Sequence, residues 1–223
     1  NIKSSSFIIS YNNDNPFSDD YRPYVWRHYF SGVVLCNLAL SYRQSNVDSL
    51  LAMGVKDVKM LRSWFVPKVN YPVKAKAKHF ETDVVFIGHY ENDDRVEYLE
   101  EVVKSGWKLK IFGPDVDAWN NALEKKPVLR HLIPIRPVWG EEYNMALSSA
   151  NIALCFFSKL NRDTYTRRCF EIPACDTVLL SEYSQDVSTL FREGTEALFF
   201  RSKKEMGRNI DKLLQNPQFC QNV

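Results

Sequence analysis

No apolar run in this chain approaches the roughly 20 residues that a membrane-spanning helix requires, so no integral membrane segment is expected. Cysteine is scarce and irregular: Cys36, Cys155, Cys169, Cys175 and Cys220 form no C-x-x-C pair. An odd count without regular spacing argues against a disulfide framework or a zinc site and fits a reducing, cytoplasmic location. The histidines His28, His79, His89 and His131 are scattered and offer no ligand spacing. No excess charge of one sign is present either, since 29 Lys and Arg face 27 Asp and Glu. No overall basic field therefore calls for nucleic acid or a membrane surface as partner. Three glycine-dependent fingerprints are missing: G-x-G-x-x-G, G-x-x-x-x-G-K-[ST] and G-x-S-x-G. Their absence speaks against a dinucleotide-binding enzyme, a P-loop enzyme and a serine hydrolase. No D-x-D stands at a strand end; Asp115-x-Asp117 follows Gly113-Pro114 but opens a helix.

What remains is an ordinary globular balance, 45% hydrophobic and 25% charged over 223 residues. Strand-like runs over 7–11, 33–40 and 58–61 open the chain, with a helix over 46–53 stopped by Gly54. Tyr21, Tyr24, Trp26, Tyr29 and Phe30 read as an aromatic helix packed on a sheet, with a sugar-stacking platform as the alternative. Residues 64–73, with Pro67 and Pro72, read as an extended linker, and Lys74, Lys76 and Lys78 as a solvated run. From Asp83 onward, strands over 84–87, 109–112, 132–135, 152–157, 178–180 and 197–200 alternate with helices over 95–104, 116–123, 141–147, 187–191 and 204–214. Short connections and continuous apolar strands predict an α/β, Rossmann-like fold: a mostly parallel sheet with helices on both faces. The domain boundary falls at 73/74, leaving 1–73 as an incomplete α/β domain with its linker. In such a sheet ligands bind at the carboxyl ends of the strands, near a topological switch point.

The most informative stretch is 161–182, N-R-D-T-Y-T-R-R-C-F-E-I-P-A-C-D-T-V-L-L-S-E. Arg167 and Arg168 fall where a helix starts, after Thr164 or Thr166 as N-cap. Cations in a first turn oppose the helix dipole, which an anion docked on free N–H groups would offset. The alternative is that both are solvated surface residues. Glu171 lies eight residues after Asp163, so a loop carboxylate and a helix carboxylate can face one pocket. Pro173 inside the helix predicts a kink or restart near Phe170.

This stretch resembles retaining GT-B glycosyltransferases of the "group 1" type, which carry a Glu, seven residues, then a second Glu on a helix ending in a small-residue turn. Asp163 stands at the first acidic position and Glu171 at the second. The segment R-C-F-E-I-P-A-C-D is similar to the R-x-F-E-x-P-A-C-G pattern of the CgeB-like branch, with Asp176 in place of the Gly. The resemblance implies a glycosyltransferase, EC 2.4 and hexosyltransferase-like, or its donor-binding half, using a UDP- or GDP-sugar. The acceptor would be an unidentified carbohydrate, lipid or protein. A nucleotide-sugar epimerase on the same fold and a non-catalytic nucleotide-sugar-binding module are the alternatives.

The resemblance also implies roles. Glu171 would hold the donor ribose, and Asp163 would lie near the donor sugar, its reach shortened by the change from Glu. Tyr165, Thr166 and Arg167 would flank the diphosphate, residues 135–138, with Val138, would meet the nucleobase, and Gly88 would let the protein backbone approach a ligand closely. Arg95 and Arg136 are further donor-binding candidates, and His89 joins Asp163 as a catalytic candidate. Arg95 paired with Asp93 or Glu97, Arg136 as an exposed strand end and His89 as a loop hydrogen-bonder are the competing readings. Neither a cofactor nor a metal is expected, because arginines and helix N–H groups supply the positive field. In the family the donor sits on the second of two Rossmann-like domains, so 74–223 is expected to be the donor half and the chain a fragment.

Overall fold

The computed structural model describes residues 6–19, 24–74 and 77–223. The chain divides into two compact units, Asn1–Ser63 with Ser158–Asp163, and Trp64–Phe157 with Thr164–Val223.

In the first unit, β1 (Ile9–Asn12), β2 (Leu38–Ser41) and β3 (Val58–Met60) form a parallel sheet in that order. Val33, Ala39, Leu50 and Val55 make its small core, drawn from β2, from the helices α1 (Arg27–Val33) and α2 (Gln44–Ala52), and from the turn after α2. The strand expected over 33–40 is shorter and later. Val33 closes α1, and Leu35 and Cys36 turn back on Gly32 and Val33 before Asn37 and Leu38 bond to Ile8. In the expected aromatic helix over 21–30, Tyr21 lies outside the described residues, as does Lys76 of the lysine run. Tyr24 and Trp26 precede α1 in a turn, while Phe30 packs on Phe17 with ring centroids 5.2 Å apart.

The second unit begins with β4 (Thr82–Ile87), α3 (Arg95–Lys104), β5 (Leu109–Phe112), α4 (Val116–Glu124) and α5 (Glu141–Ser148). It continues with β6 (Ala150–Cys155), α6 (Arg168–Ala174), β7 (Val178–Glu182), α7 (Val187–Leu190), β8 (Leu198–Phe200), α8 (Lys203–Gln215) and α9 (Pro217–Asn222). The sheet runs β5-β4-β6-β7-β8, every pair parallel. Val84, Val85 and Phe86 are wholly buried in succession, as a strand covered on both faces requires. The spacing of Met206, Ile210 and Leu213 turns one stripe of α8 into the core, and Ser202 caps its start by accepting from the Glu205 N–H at 3.2 Å. The chain leaves β4 for β5 on one side and returns to β6 on the other. The carboxyl ends of β4 and β6 therefore flank the switch point where such sheets take their ligands.

Two expectations fail here. Residues 132–135 are not a strand: a 3₁₀ helix, Pro127–Leu132, precedes an extended segment that touches β5's end through the Gly113 N–H donating to the Arg136 carbonyl. Pro134 has no N–H to give a ladder. Nor does α6 restart near Phe170: it runs unbroken from Arg168 to Ala174, and Pro173 stands one residue before its end. Asp176 follows it at φ 60°, the left-handed position that commonly closes a helix. That conformation accounts for the Gly usual there in the CgeB-like pattern.

Candidate donor-binding site

A cavity of about 150 Å³ opens at the carboxyl ends of β4 and β5. Gly88, His89, Val138, Tyr143, Arg168 and Glu171 are among its lining residues. Gly88 is there for a steric reason: a Cβ would meet the Phe86 ring at 2.8 Å and come within 3.5 Å of the Arg168 guanidinium carbon. The clash is with Phe86, while Arg168 lies at van der Waals distance from the same point at the end of β4.

Arg168 is the unusual group. Its Nε is buried and, among the described residues, has no hydrogen-bond partner. Burial works against its charge, but Cys155, Tyr143, Cys169 and Glu171 around it favour the cation, and its pKa is raised overall. Glu171 faces the same cavity and is held at both oxygens, by the Tyr143 hydroxyl at 2.9 Å and by the Arg167 Nε at 2.8 Å. Burial first, and the Glu171 charge second, push the Tyr143 phenol well above its ordinary pKa, so it stays a proton donor. On the rim, His89 Nδ1 lies 2.9 Å from Asp115 Oδ2, and Trp139 is 67% exposed. Beneath the site, Cys155 and Cys169 place their sulfurs 3.8 Å apart. The hydrogen bond from Cys169 draws the Cys155 thiol down to about 7, against burial and with help from Arg168.

Several residues picked out in the sequence lie elsewhere. Arg95 is buried and spoken for: it pairs with Asp93 through Nε and Nη2, both at 2.8 Å, and donates Nη1 to the His89 carbonyl. Arg136 pairs with Glu142 at 2.8 Å and lies over Phe80 and Phe112. It lines a different cavity of about 660 Å³ along β5, which shares no residue with the smaller one. That larger space lies beside an edge strand rather than at the strand ends, and neither Arg168 nor Glu171 lines it. Tyr165 is fully buried against Phe170. Thr166 is buried, and its hydroxyl accepts from the Arg168 N–H at 3.1 Å, so this first-turn donor is not left for an anion. Arg167 is 53% exposed and engaged with Glu171. The cation that faces the cavity is its neighbour, Arg168.

Asp163 belongs to the first unit. There it forms an ion pair with Arg43, which is itself buried and donates Nη1 to the Asn13 carbonyl at 2.7 Å. The Asp163 N–H is tied to the Ser158 carbonyl at 2.8 Å. Asp163→Asn is expected to lower stability by about 1–3 kcal/mol, the magnitude of a charged hydrogen bond in a buried setting. Denaturant unfolding measures this, and unchanged stability would contradict a structural role for the pair.

Tyr143 and Asp115 were not singled out as donor-site residues in the sequence. Tyr143 was detectable in principle: it lies four residues before buried Leu147 on α5, at the edge of the helix's inward face. The Asp115–His89 pairing spans 26 residues and left no local signal.

Parallel α/β sheets take their ligands near the switch point, and here a cation and a carboxylate line a cavity beside it. Residues 95–223, more than half of the chain, match the family described as "Glycosyl transferase-like", and the chain belongs to that family. Among solved structures, Anabaena Alr3699/HepE in complex with UDP and glucose aligns over 96% of this chain and 63% of its own, with TM-score 0.68 and 9% identity. This chain thus spans less than two thirds of that protein's length. The C-terminal domain of the group 1 family protein LpcC from Francisella tularensis covers 71% of this chain and 92% of its own, with TM-score 0.52 and 12% identity. AviGT4, a glycosyltransferase involved in avilamycin A biosynthesis, covers 78% and 57%, with TM-score 0.51 and 14% identity. At such identities the likeness is one of fold: parallel α/β sheets flanked by helices, as in these GT-B neighbours. No curated protein sequence matches the chain. Among the described residues, no helix is long and apolar enough to cross a membrane.

Proposed function

We propose that this chain holds the nucleotide-diphosphate-sugar donor of a glycosyltransferase, hexosyltransferase-like and of the CgeB-like branch, that works in the cytoplasm on a carbohydrate, lipid or protein acceptor. The observation that carries the reading is Arg168: a guanidinium with a buried, unpartnered Nε lining a cavity at the switch point. A buried guanidinium N–H left without an acceptor is costly, and a diphosphate matches the guanidinium's fork of donors. Glu171, positioned by Tyr143, still has acceptor capacity for ribose hydroxyls. At about 150 Å³ the cavity is smaller than the roughly 300–1,000 Å³ of whole-ligand sites. It therefore takes the diphosphate and ribose, with the base lying out toward Val138 and Trp139.

The test is titration calorimetry with UDP and GDP. Micromolar binding of either supports the reading, and absence of both overturns it. The same experiment in EDTA should give unchanged affinity, since the guanidinium supplies the positive charge. Binding lost in the chelator and restored by manganese would reassign the charge to a metal, with Asp115 and Asp117 the first residues to replace.

A donor-binding module that does not itself transfer sugar is the second reading. The Arg43–Asp163 pair favours it, because it occupies the carboxylate at the first acidic position. Product analysis with labelled nucleotide sugar separates the two readings.

A further inference from the structure

The rim of the cavity carries a pair that the donor reading does not use. His89 is the residue after Gly88 at the end of β4, and its ring is largely exposed. Asp115, at the start of α4, faces it: Oδ2 lies 2.9 Å from His89 Nδ1 and also accepts the Tyr90 N–H at 2.9 Å. Two contacts therefore fix the carboxylate, and the carboxylate fixes the ring. Among the described residues nothing bonds the other ring nitrogen, Nε2. His89 shares the cavity lining with Arg168, Glu171 and Tyr143.

We propose that His89, positioned by Asp115, is a second cationic contact for the donor diphosphate, made only when the imidazole is protonated; this rests on the donor reading above. An imidazolium donates from both nitrogens. Nδ1–H goes to Asp115, which leaves Nε2–H for a phosphate oxygen on the side of the anion away from Arg168. Binding then takes up a proton, and affinity rises as pH falls through the histidine range. The other titratable or charged groups near His89 are Arg168 and Glu171 on α6, Tyr143 on α5 and, behind the His89 carbonyl, Arg95 on α3 with its partners Asp93 and Glu91. The arginines keep their charge throughout, and Tyr143 is pushed away from this range by its burial. Protonation of Glu171 would weaken rather than strengthen ribose binding, the opposite sign.

UDP-glucose is the probe, because its diphosphate is a diester whose charge does not change near neutral pH. Its affinity is measured by calorimetry at about pH 8 and about pH 5.5, on either side of the histidine range. The wild-type chain is expected to bind about tenfold more tightly at the lower pH, the effect of one charge-assisted hydrogen bond. Net proton uptake should appear in buffers of different ionisation enthalpy. His89→Gln should bind equally at both pH values, and Asp115→Asn should show a smaller rise than wild type. An affinity that does not rise toward low pH, or a rise that His89→Gln retains, overturns the proposal and leaves the donor site standing. An undiminished rise in Asp115→Asn overturns the positioning role of Asp115. Binding of neither UDP-glucose nor GDP-glucose at either pH overturns the donor reading and this inference with it.

Discussion

Arg168→Ala is expected to weaken UDP binding about 10- to 100-fold, the loss of a charge-assisted contact worth about 1.5–3 kcal/mol. Arg167→Ala, one residue away, is expected to change it far less. The two differ in what surrounds them. Arg167 is half exposed and its pair with Glu171 is an i,i+4 contact on a short helix, a kind worth about 0–1 kcal/mol. Arg168 lies over Gly88, lines the cavity and has a buried donor with nothing to bond. Arg168→Lys should fall between, because lysine keeps the charge but loses the planar fork. Calorimetry with UDP measures all three, with thermal unfolding as the control for a damaged fold. Equal losses in the Arg167 and Arg168 variants would remove the distinction on which the site rests.

Trp119→Ala should have the largest effect on stability, about 3–5 kcal/mol, the usual range for deleting a buried aromatic side chain. Trp119 is fully buried and packs edge-on against Phe86 and Tyr90, with centroids 5.6 and 5.4 Å away. Its indole N–H donates to the Gly88 carbonyl at 3.1 Å, which pins the end of β4 where the cavity opens. It also fills the space beside Gly113, where a Cβ would lie 2.5 Å from the indole nitrogen. The alanine variant leaves a void and strands the Gly88 carbonyl. At 2–4 °C per kcal/mol for a unit of this size, the melting temperature should fall by roughly 6–20 °C. A shift of only a degree or two would mean that the end of β4 is not organised around this residue.

The second unit's fold was legible because its strands are continuous apolar runs and its helices carry regular apolar stripes. Both patterns depend on neighbouring residues. The failure over 132–135 is instructive: Leu132, Ile133 and Ile135 are apolar enough for a strand, but Pro134 denies the ladder a donor, and the segment's backbone bond beside β5 is the one from the Gly113 N–H to the Arg136 carbonyl. The site was legible in part. Membership of one cavity was legible for Glu171, Gly88, His89 and Val138. The choice between Arg167 and Arg168 was not, since both positions lie within a turn of Glu171 and the helix phase is set by the burial of Cys169 and Ile172. Arg95 and Asp163 each have a partner, Asp93 and Arg43 respectively. Asp93 is two residues from Arg95 and was visible as an alternative; Arg43, 120 residues from Asp163, was not.

The central claim is that a nucleoside diphosphate binds at the switch point of the second unit, against Arg168. A crystal structure of the chain grown with UDP tests it most directly. The account predicts phosphate oxygens within hydrogen-bond distance of the Arg168 guanidinium and ribose hydroxyls on Glu171. UDP seated instead along β5 beside Arg136 and Lys110, with the Arg168 cavity empty, would contradict it.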